Sequence, residues 1–104
     1  MTYYEMKQAC YAQIELSDKI LAGVKQLAYD TKDHDIYSKC KKFEDRITAF
    51  VADVVYPYLS DELDPAYRGQ PANPSYIESK LHSIEQKISI GFKGEWETLK
   101  RQAK

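Results

Sequence analysis

The chain has 104 residues and a formal net charge of −1, from fifteen Lys and Arg against sixteen Asp and Glu. This length fits one domain spanning residues 1–104, and a hydrophobic content of 43% argues against disorder. The near balance of charge disfavours DNA, RNA and anionic membranes as partners. The composition is unusual in its nine tyrosines, a residue type that is enriched at protein interfaces.

The sequence predicts a cytoplasmic chain with no membrane segment. We find no basic start followed by an apolar leader, and the most hydrophobic stretch, residues 49–59, falls short of the about 20 residues that span a bilayer. In a helical hairpin that turns near Thr31, Cys10 and Cys40 would lie roughly 18 Å apart along the axis. A disulfide requires Cα atoms within about 7 Å, so we expect two free thiols.

The first helix is predicted over residues 2–29, with Thr2 and Glu5 forming a capping box. Gly23 interrupts it and allows a local bend. Along the whole predicted helix, apolar positions recur at three- and four-residue steps and form two adjacent lines. The first line is Met6, Ala9, Gln13, Leu16, Ile20, Val24 and Leu27, and the second is Tyr3, Cys10, Ile14, Leu21 and Ala28. So wide an arc predicts that this helix lies between two neighbours.

A second helix is predicted to follow the turn at residues 30–33 and to reach residue 59, with Pro57 kinking or ending it. Its apolar seam is Ile36, Cys40, Phe43, Ile47, Phe50 and Val54. Residues 60–74 contain three prolines and predict a long loop. That loop is either a solvated connection or a docking loop with Tyr67 and Arg68 at its tip.

The third helix is predicted to start either with Asn73 capping Pro74 or with a capping box from Ser75 to Glu78. Its apolar line is Ile77, Leu81, Ile84, Ile88, Phe92 and Leu99, with Trp96 at the edge. Three apolar stripes, a short first turn and a longer second one predict an all-α fold. The predicted architecture is an antiparallel three-helix up-down-up bundle with one long Pro-rich loop between helices 2 and 3.

The sequence offers no candidate catalytic or metal residues. His82 shares a flank with Glu78 and Glu85, but helical di-metal sites use Glu-x-x-His pairs on two helices, and this chain has no such pair. Nothing ties a cysteine nucleophile to His34 or His82 as a base, and the four glycines form no phosphate loop. We therefore expect neither enzymatic activity nor a cofactor.

Basic residues on helix 2 give a weak indication of nucleic-acid binding. Lys39, Lys41, Lys42 and Arg46 point in different directions, and acidic residues lie among them. A phosphate-binding stripe would place one sign of charge on one face. The sequence favours a solvated mixed-charge face, with a nucleic-acid-associated helical regulator as the alternative.

Aromatic side chains outside the apolar stripes are the main functional indication. Tyr4, Tyr11 and Tyr29 lie opposite the apolar arc of helix 1, and Tyr56 points away from the seam of helix 2. With Trp96, Tyr67 and Arg68 they form the candidate partner-binding set, because Tyr and Trp are enriched at interfaces. The alternative is that these rings fold back over their own helices.

These observations favour a non-enzymatic protein-binding module, of the small inhibitor, immunity or anti-defence accessory kind, that acts by steric blocking of a partner protein. A homodimer through helix 1 is a related prediction: if the core uses only the first apolar line, Tyr3, Ile14 and Leu21 are available to a second copy. The alternatives are the nucleic-acid-associated regulator and a structural subunit of a larger assembly.

Overall fold

The computed structural model describes residues 1–63 and 74–104 and has three long helices that pack together, with no strand in those ranges. Helix α1 is Tyr3–Asp30. Helix α2 covers residues 34–62 and consists of α-helical His34–Phe50, followed by π-helical turns at Val51–Val55 and Tyr58–Glu62. Helix α3 covers residues 74–102 as Pro74–Glu85, a π-helical Gln86–Phe92 and Lys93–Gln102.

Side-chain caps fix where the first two helices begin. The backbone N–H of Glu5 donates to Thr2 Oγ1 at 3.1 Å, and the N–H of Thr2 donates to Glu5 Oε1 at 2.9 Å. The predicted capping box is therefore confirmed. Asp33 caps α2 by accepting from the backbone N–H groups of Asp35 at 2.8 Å and Ile36 at 3.3 Å. Three residues separate the two helices, so they form a tight hairpin.

The second helix runs past Pro57, as its predicted extent to residue 59 requires, so the alternative in which Pro57 ends it is wrong. The helix continues to Glu62, and Pro57 has helical backbone angles of φ −61° and ψ −39°. The N–H of Tyr56 bonds to the carbonyl of Val51, five residues back, which shifts the hydrogen-bond pattern just before the proline that lacks a donor. Residues 60–62, predicted as loop, are thus helical, and the rest of the predicted Pro-rich loop lies outside the described residues apart from Leu63 and Pro74.

The π-helical turns also change which side chains of α2 face the core. Ile36, Cys40, Phe43 and Ile47 are buried as the predicted seam requires, but Val55 is buried while Val54 is only partly covered. A π turn adds a residue to one helical turn and so rotates everything after it. Tyr58, which the sequence places beside the seam, lies at the centre of the core with no exposed surface.

Helix α1 lies between the other two helices, as its wide apolar arc predicts, and contacts both. The apolar line of α3 is buried throughout. Phe92 of α3 makes edge-to-face contacts with Phe43 and Phe50 of α2, with ring centroids 5.8 and 5.7 Å apart. One core therefore joins all three helices. Its buried hydrophobic members are Tyr3, Met6, Cys10, Ile14, Ile20, Val24, Ala28, Ile36, Cys40, Phe43, Ile47, Val55, Tyr58, Leu63, Ile77, Leu81, Ile84, Ile88, Phe92 and Leu99.

Tyr58 also ties α2 to the start of α3 through its polar end. Its hydroxyl donates to the backbone carbonyl of Ile77 at 2.9 Å. Burial raises the pKa of Tyr58 well above its ordinary range, so the hydroxyl stays protonated and keeps this hydrogen bond. Lys80, one helical turn after Ile77, lies over the Tyr58 ring and forms an ion pair with Glu62.

Candidate interaction surface

Three exposed tyrosines lie along one flank of α1. Tyr4 is 71% exposed, Tyr11 51% and Tyr29 87%. Tyr4 and Tyr11 are two helical turns apart, and Tyr29 is five turns beyond Tyr11, so the three rings share a direction. The predicted exposure of these side chains is confirmed.

Two tyrosines on α2 extend the same surface. Tyr56 is 50% exposed, as predicted, and Tyr37, which was not predicted from the sequence, is 47% exposed. Tyr37 shares an opening with Tyr29 near the α1–α2 turn. Tyr56 and Asp18 of α1 line a second opening. Asp18 lies two helical turns after Tyr11 and so faces the same way as the tyrosines of α1. We call the outer surface of this hairpin, marked by Tyr4, Tyr11, Tyr29, Tyr37 and Tyr56, the tyrosine face.

The centre of the tyrosine face is a shallow apolar groove of about 200 Å³ between the two helices. Leu21 of α1 and Val51 of α2 are both partly buried there, and Ala52 beside them is exposed. Ser17 is 1% exposed, and its hydroxyl has no hydrogen-bond partner among the described residues. The groove is lined by Ser17, Asp18, Leu21, Ile47, Thr48, Val51, Ala52 and Tyr56.

Near the α1–α2 turn the groove becomes polar. Tyr29 and Tyr37 flank an opening whose floor includes Glu44, a carboxylate that is only 8% exposed. Lys41 Nζ lies 3.3 Å from Glu44 Oε2. A hydrogen bond to Glu44, together with its charge, raises the pKa of Lys41. The tyrosine face therefore combines aromatic anchors, an apolar centre and a polar end, the composition that interfaces share.

Trp96 lies away from the tyrosine face and packs between helices. It is partly buried, and a Cβ placed on Gly23 of α1 would lie 2.7 Å from its Cζ2 atom. Lys100 Nζ covers the ring 5.3 Å from its centroid. Gly23 lets the indole approach the α1 backbone. The indole joins α3 to α1, and only part of it faces solvent.

The other predicted site residues are two in the loop and three that were considered for contact with a second copy. Tyr67 and Arg68 lie outside the described residues. Tyr3 and Ile14, considered for a second copy, are 7% and 9% exposed because the chain's own core covers them, while Leu21 is partly exposed. The core thus uses both apolar lines of α1, which leaves Leu21 as the only member of that trio with surface to share.

The histidines and cysteines of the chain lie in opposite environments. His34 and His82 are both exposed. Cys10 and Cys40 are free and have no exposed surface, and burial raises the pKa of the Cys10 thiol to about 11. Such a thiol is not a thiolate nucleophile at neutral pH. Within residues 1–63 and 74–104, no group of three His, Cys, Asp or Glu side chains could hold a metal ion.

Basic residues line a separate groove of about 250 Å³ between α2 and the end of α3. Most of their charge is paired. Arg46 binds Glu95 with both guanidinium nitrogens, and Lys39 lies 3.2 Å from Asp35. Lys42 forms no ion pair with any described residue. This groove is a mixed-charge surface, as the sequence favoured.

Comparison with protein-family models, with curated proteins and with solved structures finds no match for this chain. Across the described parts of the chain, no helix has the length and apolar character needed to cross a membrane.

Proposed function

We propose that this chain is a non-enzymatic protein-binding module that docks its tyrosine face on a partner protein and blocks or bridges that partner by steric occlusion. The supporting observation is the collection of five exposed tyrosines on the outer surface of a single helical hairpin. Tyrosine supplies a large rigid ring and a polar tip, and it is among the residues that dominate binding energy at interfaces.

The dimensions of the face suit a protein partner better than a small ligand. Tyr4 and Tyr29 are 25 positions apart on one helix, which corresponds to about 37 Å. A small-molecule site is a concave pocket that encloses its ligand, whereas the groove between α1 and α2 is open and shallow. A long, gently grooved surface with aromatic side chains spaced along it matches a partner's helix or edge.

The proposal includes an up-down-up course of the three helices. The N-terminal amino group of Met1 lies 2.8 Å from Glu78 near the start of α3, and Trp96 near the end of α3 contacts Gly23 late in α1. Both contacts favour α1 and α3 running in the same direction with α2 opposed. In this arrangement α3 braces the hairpin from behind, so the tyrosine face is rigid.

We place the protein in the cytoplasm, because two buried free thiols suit a reducing compartment. The function class is that of a small inhibitor, immunity or anti-defence accessory protein. The occluded partner is another protein, and no cofactor takes part.

Affinity capture tests this function. We expect the tagged chain to retain one dominant protein from its host lysate, and we expect the Tyr4→Ala/Tyr11→Ala double variant to lose it. Ile90→Ala is the matched control, because Ile90 is 69% exposed but lies on α3. Equal recovery with the wild-type chain and the double variant would refute a binding role for the tyrosine face.

The groove that carries Lys39, Lys42 and Arg46 supports a second candidate, a nucleic-acid-associated regulator. Lys42 is the one of these three cations without an acidic partner among the described residues, and the groove is open to solvent. Retention of duplex or single-stranded oligonucleotides at low salt, with a steep decrease at moderate salt, would favour this candidate. Lys42→Glu would then weaken retention while capture of a protein partner stayed unchanged.

A further inference from the structure

Two charged residues in the middle of α1 lack partners among the described residues. Asp18 and Lys25 are both exposed, and neither forms an ion pair with a described residue. Nearby charges are paired: Lys19 lies 3.6 Å from Glu15 on the same helix. Asp18 and Lys25 are seven residues apart, so they lie on one flank two turns from each other. Asp18 borders the apolar centre of the tyrosine face and Lys25 borders its polar end.

Apolar and small side chains occupy the position midway between these charges. Leu21 is partly exposed and lines the groove, and Ala22 is exposed beside it. Across the groove, Val51 and Ala52 of α2 continue the apolar surface. Small residues allow a second helix to approach to the interaxial distances of about 8–10 Å that packed helices have.

The order of these residues is self-complementary. A two-fold axis perpendicular to α1 that passes between Leu21 and Ala22 reverses the helix direction. It places Asp18 opposite Lys25 of a second copy, and Lys25 opposite that copy's Asp18. The same operation sets Leu21 against the second copy's Ala22 at the midpoint. A closed two-fold interface requires such a match between a patch and itself.

We propose that a second copy of this chain docks on the centre of the tyrosine face, with the two α1 helices antiparallel and the Asp18–Lys25 pair formed twice across the interface. The occupant is a second copy because the charges of Asp18 and Lys25 are complementary to the same two charges of a reversed α1, with an apolar midpoint between them. Each charge then gains a partner across the interface.

The two α1 helices overlap over only part of their length. With this axis, Asp30 at the end of one α1 lies opposite Gln13 of the other, so the helices overlap over residues 13–30. Tyr4 and Tyr11 precede the overlap of the two α1 helices. This inference goes beyond the proposed function and does not depend on it, since the charges and the apolar midpoint differ from the Tyr4 and Tyr11 rings.

Charge reversal tests the proposed interface. Sedimentation equilibrium of the full chain at micromolar to submillimolar concentration should give a dimer. Asp18→Lys and Lys25→Asp should each weaken the dimer by about tenfold or more, because each places two like-charge pairs across the interface. The combined Asp18→Lys/Lys25→Asp variant restores opposite charges and should recover the wild-type dissociation constant.

Further variants test the position of the two-fold axis. Ala22→Glu should also dissociate the dimer, because it brings two like charges close together at the axis, whereas Lys93→Asp on α3 should leave it intact. Circular dichroism of each variant should match the wild type. A monomeric wild-type chain over this concentration range, or a double variant no better than the single ones, would overturn the proposal.

The dimer and the proposed function can fail separately. Tyr4→Ala/Tyr11→Ala should lose partner capture and still dimerise, because both residues precede the overlap of the two α1 helices, and the charge-reversal variants are scored by sedimentation equilibrium alone. Loss of capture in a chain that dimerises normally supports both conclusions. A dimer that survives Asp18→Lys, Lys25→Asp and Ala22→Glu uses another surface and contradicts the inference.

Discussion

Tyr56 and Tyr58 lie two residues apart on the same helix, yet their environments are opposite. Tyr58 has no exposed surface and its hydroxyl donates to the carbonyl of Ile77, whereas Tyr56 is 50% exposed on the outer groove. The difference comes from position on the helix, since residues two apart point to nearly opposite sides. The same side chain therefore stabilises the fold at one position and is available for binding at the other.

The largest expected effect is at the buried position. Tyr58→Ala should lower the free energy of unfolding by about 3–5 kcal/mol, because it leaves a cavity in the core and removes the hydrogen bond to Ile77. Tyr58→Phe keeps the ring and should cost only about 1–2 kcal/mol. Urea unfolding of Tyr58→Ala, Tyr58→Phe and Tyr56→Ala compares the free energy of unfolding that is lost at the buried and at the exposed position. Similar losses for Tyr56→Ala and Tyr58→Ala would contradict the expected difference.

Gly23→Ala tests the contact between α1 and α3. The new methyl group would lie 2.7 Å from Trp96 Cζ2, so the indole must move. Overpacking costs about 1–3 kcal/mol, which outweighs the gain of about 1 kcal/mol in helix propensity. We expect a lower urea midpoint and a changed tryptophan fluorescence maximum. In a Trp96→Phe background the same alanine should become neutral or stabilising.

Alkaline pH should destabilise the fold by about 2–3 kcal/mol through Cys10. Its pKa is about 11 in the folded chain against an ordinary value of 9.0, so the unfolded chain loses this proton first. The stabilisation is complete below pH 9, decreases as pH rises and is lost above the folded pKa. Tyr58, whose pKa is also raised, adds to the decrease above its ordinary value of 10.0.

Urea unfolding at several pH values checks this effect. Cys10→Ala should be less stable at neutral pH but should show a smaller decrease between about pH 9 and 11, the ordinary and folded pKa values of the thiol. An identical decrease in the wild type and in Cys10→Ala would assign the alkaline loss to other groups.

The smallest effect on stability is expected at the exposed end of the tyrosine face. Tyr4→Ala/Tyr11→Ala should change the free energy of unfolding by less than about 1 kcal/mol, because exposed substitutions away from caps and core contacts have small effects. Thermal melting followed by circular dichroism is sufficient to measure this. A large loss of stability would mean that these rings support the fold and would remove the basis for a binding role.

Periodicity was sufficient to predict most of this fold from sequence. The cap at Thr2, the apolar line of α3 and the exposure of Tyr4 and Tyr11 all follow from local spacing. Local spacing could not reveal the π-helical turns, because a one-residue change in hydrogen-bond pairing leaves no composition signal. The burial of Val55 in place of Val54 was missed for that reason.

Contacts between helices also could not be predicted from the sequence. The approach of Trp96 to Gly23 depends on how α1 and α3 are rotated about their axes, and a single helical wheel does not contain this information. Tyr37 was missed because its neighbour Ile36 belongs to the apolar seam. Its place on the tyrosine face depends on the opening that it shares with Tyr29.

Hydroxyl-radical footprinting of the chain, alone and in its captured complex, tests the role of the tyrosine face most directly. We predict that Tyr4 and Tyr11 are modified in the free chain and protected in the complex, while Tyr58 is unmodified in both. Equal modification of Tyr4 and Tyr11 in the free and bound chain would contradict the assignment of the tyrosine face as the partner-binding surface.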